Sequence, residues 1–332
     1  AWVNEDEVAT VKRTLYEAGY PIADDRNLDT GDTLEAELTA TLRDYQQTWV
    51  DTFLDQQAGV FVGPPGSGKT IAAIAALVAV GGETLILVPS RELAAQWRAA
   101  LTAESTLTDA YVGEYHGGEK NIQPVTIATY QTAGMDRHRQ LFDSRGWGLI
   151  IYDEVQHIPS PIFRRSTQLQ AAHRMGLSAT PVREDDKEKE IFTLIGPPIG
   201  TDWAALFEAG FVAEPEVQIR YVPWRDDDAK NAYSSADTND RHRIAAQNPA
   251  KIDEIRTLRG RHPDAKTLIF VDYLDQGEAI ADALDVTFIS GETDHHERQR
   301  QLVAVGDGSQ KKIVVQGIAD EGIDVQKGER AD

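Results

Sequence analysis

The sequence predicts an α/β protein of two lobes, each built on a parallel β-sheet, the second incomplete, with a short, mainly helical insertion. Three observations lead there. Short runs rich in Val, Ile and Leu alternate with stretches whose apolar residues recur at helical spacing, the pattern of strands covered by crossover helices. That alternation occurs twice, over 59–180 and again over 267–317. A chain of 332 residues is also long for one core, so two domains of ordinary size are expected.

The elements follow in order. Residues 1–40 are acidic and mostly polar, with Gly19-Tyr20-Pro21 breaking one short helical pattern, and read as an N-terminal segment with a small edge element. LRDYQQTWVDTFL places Leu42, Tyr45, Trp49, Phe53 and Leu54 on one helical face. GVFVG reads as a strand, PPGSGKT as a loop, IAAIAALVAV as a helix and TLILVP as a strand. Ser90 can cap a helix in which Leu93, Trp97 and Leu101 recur every four residues. VTIATY, GLIIYDE and HRMGLSAT are further strands. The first lobe is thus expected over 41–200. The second, over 201–332, contains TLIFVDY, a helix through DQGEAIADAL, VTFIS and KKIVVQG. Within it, 223–248 is polar and charged and reads as a helical or partly flexible insertion.

Composition narrows the class. The longest apolar helix, 71–80, is too short for a membrane span and ends in Gly81-Gly82. The first residues lack the features of a signal peptide. Absence of cysteine excludes disulfides and thiolate metal sites and fits a cytoplasmic location. The net charge of −21 is opposite to the usual nucleic-acid footprint. Only 11 of the 33 basic residues are lysine, however, and acid excess with few lysines resembles proteins of high-salt cytoplasm. Either nucleic acid is not the partner, or a local groove escapes a generally acidic surface.

Gly63-Pro64-Pro65-Gly66-Ser67-Gly68-Lys69-Thr70 fits G-x-x-x-x-G-K-[ST] between a predicted strand and a predicted helix. The glycines let backbone N–H groups turn toward phosphate oxygens, Lys69 brings a positive charge to them, and Thr70 offers a hydroxyl to Mg²⁺. The helix that follows adds its positive end. This loop predicts nucleoside triphosphate binding and leaves open which kind of enzyme uses it. Asp153 lies 84 positions after Lys69 (153 − 69) and ends the apolar run GLIIY. At that place an Asp holds Mg²⁺, and the adjoining Glu154 can act as general base on water. The pair favours hydrolysis over transfer to a small-molecule hydroxyl, the reading in which the chain is a metabolic kinase.

From these motifs onward the chain resembles the superfamily 2 helicases, and most nearly the XPB and archaeal XPB type of repair and transcription helicase. The motifs are LRDYQ (42–46), the phosphate loop, VPSRELAAQW (88–97), IATYQT (127–132), DEVQHIPS (153–160) and GLSATPVREDD (176–186). LIGPPIGTDWAALFEAGFVAEPEV (194–217) also follows the family pattern, and later come KTLIFVDYLDQGEAIADAL, ISGETDHHERQRQL and VVQGIADEGIDV. The resemblance covers nearly everything from residue 41 and implies two RecA-like P-loop lobes with ATP between them, 223–248 standing where the family has a thumb-like module. It places Arg43 and Gln46 at adenine, and Asp320, Gly322 and Asp324 in the second lobe's nucleotide motif. Lys69, Asp153, Glu154 and Gln156 become catalytic residues, with Thr70 and Asp153 on Mg²⁺. Ser90, Arg91, Thr129, Thr132, Ser178, Ala179, Thr180, Arg183, Glu184, Asp185 and Gly291 become residues of DNA contact and coupling. Taken singly, the hydroxyls are equally readable as helix caps, and Arg183–Asp185 as a solvated charge run.

Two departures bear on the expectation. DEVQHIP puts Gln156, not a histidine, in the family's box position, so this residue can hydrogen-bond but not titrate near neutral pH. The family's Gln-x-x-Gly-Arg-x-x-Arg finger motif does not occur, and there is no initiator Met, which reads as a chain truncated at both ends. The expected activity is ATP hydrolysis driving 3′→5′ movement on a DNA single strand or fork junction, by a monomer working with a nuclease or a transcription or repair factor. Two other readings are an ATP-gated DNA clamp with little turnover, and the motor subunit of a restriction or remodelling system.

Overall fold

The computed structural model describes residues 8–18, 30–155, 165–167, 169–179, 188–200, 202–212 and 216–316. Apolar runs form strands wherever predicted: β1 (Ala58–Val62), β2 (Thr84–Val88), β4 (Val125–Thr129), β5 (Trp147–Tyr152) and β6 (Ala171–Ser178). Two short strands join them, β3 (Val112–Tyr115) and β7 (Pro198–Gly200). All seven pair in parallel in the order β3-β4-β2-β5-β6-β1-β7. The two additions were not legible in sequence, because VGEY carries a glutamate and a glycine and PIG is only three residues long.

Alternate side chains of these strands feed two cores. One face carries Phe61, Ile86, Val88, Ile127, Leu149, Ile151 and Met175, covered by α2 (Asp44–Gln56), α3 (Lys69–Val80) and α4 (Arg91–Glu104). The other carries Val60, Leu85, Leu87, Ile150 and Tyr152. It is covered by α5 (Tyr130–Ala133), α6 (Asp136–Asp143) and α7 (Glu188–Leu194). In the N-terminal segment α1 spans Val8–Glu17, and isolated bridges tie Thr33 to Gly82 and Leu38 to Ser105.

The chain divides into two compact units, Ala1–Pro215 and Glu216–Asp332. Residues 202–212, with α8 (Trp203–Glu208), belong to the first unit: Leu206 is buried and the Phe211 ring lies 5.5 Å from that of Tyr45. Phe211 finds its partner 166 positions earlier in the chain (211 − 45), which no local pattern reveals. The second unit contains β8 (Thr267–Val271), β9 (Thr287–Ile289) and β10 (Lys312–Gln316), parallel in the order β8-β10-β9. The insertion is helical, with α9 (Asp227–Ser235) and α10 (Thr238–Ala246) capped by Asp226 and Asp237. Next come α11 (Ala250–Arg261), α12 (Leu274–Leu284) and α13 (His295–Gly306). No helix among the described residues is long and apolar enough to cross a membrane.

Trp49 links the core to the phosphate loop. It is 1% exposed, its ring lies 5.7 Å from Phe61, and a Cβ on Gly63 would come within 2.8 Å of it. Trp49→Ala should therefore destabilise the first unit by about 3–5 kcal/mol, read from the urea midpoint at constant slope, and should weaken nucleotide binding by loosening the loop above it.

Candidate active site

In a parallel sheet every strand ends on the same edge, so the loops that follow them converge. The phosphate loop follows β1, Ser90 follows β2, Thr129 ends β4, Asp153 follows β5 and Ser178 ends β6. The sequence-predicted motifs of the first lobe therefore meet at one edge.

The loop is held from beneath. Gln46 is buried, and its amide donates to the carbonyls of Ser67 (2.9 Å) and Gly68 (3.4 Å) while its carbonyl oxygen accepts from Arg43 N–H at 2.9 Å. Tyr45 Oη donates to the same Ser67 carbonyl at 2.6 Å. Gly68 has φ +77° and a Cβ there would stand 2.2 Å from the Gln46 amide nitrogen, so both conformation and space require glycine. Lys69 Nζ donates to the carbonyls of Gly63 (2.8 Å) and Pro64 (3.2 Å). Ser67 Oγ is buried without a hydrogen-bond partner. A cation resting on neutral carbonyls and an unsatisfied buried hydroxyl suit an anionic ligand in the loop. Arg43 lies over the half-exposed Phe211 ring, 4.9 Å from its centroid, and donates to Tyr45 Oη at 3.0 Å. Tyr45 reads in sequence as a core residue, and Phe211 carries no local signal at all.

Asp153 is buried at the end of β5, its N–H bonded to Leu87 O on β2. Trp97 Nε1 donates to Oδ2 at 2.8 Å, Glu154 N–H to Oδ1 at 2.9 Å, and Tyr130 Oη to the Asp153 carbonyl at 2.6 Å. Glu154 adopts φ +50°, unusual for a residue with a Cβ. Burial pushes the Asp153 carboxyl up to about 6; the N–H of Trp97 opposes the rise, the neighbouring Glu154 charge adds to it, and the Lys69 charge opposes it. Burial also raises Tyr130 well above the usual phenol value, so its hydroxyl stays a donor. Neither Trp97 nor Tyr130 stood out in sequence as a site residue, since both sit at apolar positions of their motifs.

The hydroxyls predicted to touch DNA have local partners. Ser90 Oγ caps α4 by accepting from Leu93 N–H at 3.3 Å, and Thr129 Oγ1 caps α5 and donates to Thr132 Oγ1 at 2.9 Å. Ser178 is buried at the end of β6, with Ala179 just beyond and partly open. Arg91 is exposed in the first turn of α4, its guanidinium so close to Gly117 that a Cβ there would lie 2.2 Å from it. Gly291 is exposed after β9 in the second unit. Gln156, Thr180, Arg183, Glu184, Asp185, Asp320, Gly322 and Asp324 lie outside the described residues.

A phosphate loop and a strand-end Asp-Glu pair on one parallel sheet are the features of a P-loop nucleotide-binding fold. The chain is 61% identical over 331 residues (100% of this chain) to a protein named "Putative DNA 3′-5′ helicase Rad25" from Haloarcula marismortui, covering 53% of that protein, and 38% identical over 333 residues (97% of this chain) to the DNA 3′-5′ helicase XPB of Mycobacterium tuberculosis, covering 60% of it. Along its whole length the chain is therefore similar to proteins named as DNA 3′-5′ helicases of the Rad25 and XPB type. Residues 39–183 match the family described as "Type III restriction enzyme, res subunit". The Hef helicase domain of Pyrococcus furiosus shares the fold at a TM-score of 0.51 with 14% identity, covering 86% of this chain and 88% of that one. The chain spans about half the length of the curated relatives from Haloarcula marismortui and Halobacterium salinarum, whose halophilic origin fits the acidic, lysine-poor composition.

The raised carboxyl sets a pH dependence. Between about pH 4, where an unfolded Asp ionises, and about 6, the folded chain keeps a proton on Asp153 that the unfolded chain has released. Its contribution is therefore full below that window and is lost as pH rises through it. The stability difference between the wild-type chain and Asp153→Asn should fall by on the order of 2–3 kcal/mol from pH 4 to pH 7 in the absence of nucleotide and metal, read from urea unfolding of both. A flat difference would contradict the buried, proton-holding carboxyl.

Proposed function

We propose that the chain acts as an ATP-dependent DNA helicase or translocase, moving 3′→5′ and serving DNA repair or transcription. The observation that carries this is the convergence of the phosphate loop, Asp153–Glu154 and the segments 88–97 and 127–132 on one sheet edge. The relatives' names, DNA 3′-5′ helicase among them, point the same way. In this reading Lys69 and the N–H groups of 66–70 hold the ATP phosphates, Thr70 and Asp153 hold Mg²⁺, and the base rests by Arg43 and Phe211 with Gln46 tying that end to the loop. When bound, the ion supplies positive charge against the phosphate oxygens. Glu154 accepts a proton from the attacking water, and Gln156 joins the phosphate site to Ser178 and Thr180.

A local basic cluster answers the objection from global charge. Arg91, Lys120 and Arg137 are exposed, and among the described residues none has an ion-pair partner; nearby Asp136 pairs with Arg165. Lys120 lies 4.3 Å over the Tyr115 ring, and desolvation with the charges of Arg137 and Arg91 holds its pKa below the usual value. His138 accepts from Arg137 Nε at 3.0 Å and meets Tyr115 Oη at 3.0 Å, its pKa lowered by desolvation and by Lys120 and Arg137. Like charges left together on a chain of net charge −21 suit phosphodiester contact without base reading.

ATP hydrolysis should be stimulated by DNA, abolished in Lys69→Ala, and slowed about 10²–10⁴-fold in Glu154→Gln with ATP still bound. The double variant Lys120→Glu, Arg137→Glu should weaken DNA binding and flatten the log-affinity against log-salt slope by about two. Hydrolysis unaffected by DNA at every salt concentration, or intact in Lys69→Ala, would refute the reading.

A further inference from the structure

We infer that Trp97 and Tyr130 are positioning residues that join the two DNA-facing segments of the first unit directly to the nucleotide site through Asp153. The inference rests on the reading of 88–97 and 127–132 as DNA-contacting. Each segment ends in one hydrogen bond on the same residue. Trp97 lies two turns along α4 from Ser90 and Arg91 and donates to Asp153 Oδ2 at 2.8 Å. Tyr130 opens α5 between Thr129 and Thr132 and donates to the Asp153 carbonyl at 2.6 Å. Both aromatics are buried, at 2% and 0% exposure, so neither bond competes with water.

The two bonds act on one peptide plane. Tyr130 holds the C=O of the 153–154 peptide; its N–H donates to Asp153 Oδ1, on the carboxylate that Trp97 holds at Oδ2. Glu154 sits just beyond at φ +50°, a strained conformation for a residue with a Cβ that persists only where surrounding contacts fix it. A shift of α4 or α5 on binding a DNA backbone therefore moves a donor on Asp153, and with it the peptide that orients Glu154. Tyr152 provides the contrast. It is equally buried and adjacent in sequence, yet its hydroxyl meets Arg174 Nη1 at 3.4 Å.

Reciprocity between sites makes this measurable: the factor by which nucleotide changes DNA affinity equals the factor by which DNA changes nucleotide affinity. The affinity of a 3′-tailed DNA duplex is measured with and without saturating adenylyl imidodiphosphate and Mg²⁺, on the wild-type chain and on Tyr130→Phe, Trp97→Phe and Tyr152→Phe. Loss of one bond should reduce the coupling factor about 3–10-fold in Tyr130→Phe and in Trp97→Phe, with DNA affinity in the absence of nucleotide within about twofold of wild type. Tyr152→Phe should keep the wild-type factor. Urea unfolding reports whether each variant is folded, and either of the first two suffices. Wild-type coupling in both would overturn the inference, and so would an equal loss in Tyr152→Phe, which would mark general loosening of the core. A wild-type chain without coupling would instead overturn the reading of the two segments as DNA-contacting, and the inference with it.

Discussion

Parallel pairing of seven strands is the constraint on which the rest of this structure depends. Parallel neighbours require a crossover, and each crossover lays a helix on one face and returns every strand in the same direction. The carboxyl ends of β1, β2, β4, β5 and β6 are thereby gathered on one edge. Motifs as far apart in sequence as Gly63 and Ser178 become neighbours there, and hydrogen bonds such as Gly63 N–H to Ser178 O (3.2 Å) and Trp97 Nε1 to Asp153 Oδ2 (2.8 Å) then join them. The two apolar layers then make the edge stiff, since Phe61 and Ile151 on one face and Val60 and Ile150 on the other are all fully buried.

On that edge most buried polar groups are satisfied by one another, the Ser67 hydroxyl excepted. Gln46 and Tyr45 share the Ser67 carbonyl, Lys69 rests on the carbonyls of Gly63 and Pro64, and Asp153 accepts from three donors. A buried carboxylate without such donors would be far more costly, and even with them burial keeps its pKa near 6. Much of the site is held by bonds to the backbone, such as those on the Ser67, Gly63 and Pro64 carbonyls.

The acidic surface and the basic cluster are parts of one solution. Carboxylates in large excess give an overall charge of −21, while Arg91, Lys120 and Arg137 lie together with His138, which sits between Arg137 and Tyr115 with its pKa lowered by desolvation and by the charges of Lys120 and Arg137. The exposed Arg91 guanidinium lies close against Gly117, where a side chain would meet it. A positive region on such a surface is local and well defined, so it can steer a phosphate backbone without making the whole protein adhesive to nucleic acid.

The sequence by itself determined the elements whose pattern is local. Strands β1, β2, β4, β5 and β6, helices α2, α3 and α4, the phosphate loop and the Asp153–Glu154 pair follow from apolar periodicity and from residue types at fixed spacing. The helical character of 223–248 was legible for the same reason. Tertiary structure alone decided the partnerships. Gln46, which the family resemblance places at a base, has its amide bonded to the loop; Ser90 and Thr129 cap helices; Phe211 joins Tyr45 and Arg43 from 166 and 168 positions away (211 − 45 and 211 − 43); and Trp97, read as an apolar helix position, and Tyr130, read as part of a strand, meet on Asp153. Periodicity reports which face of an element is buried. It does not report which atom at the tip of a buried Trp or Tyr finds a polar partner, because that depends on strand order, and strand order exists only in the folded chain.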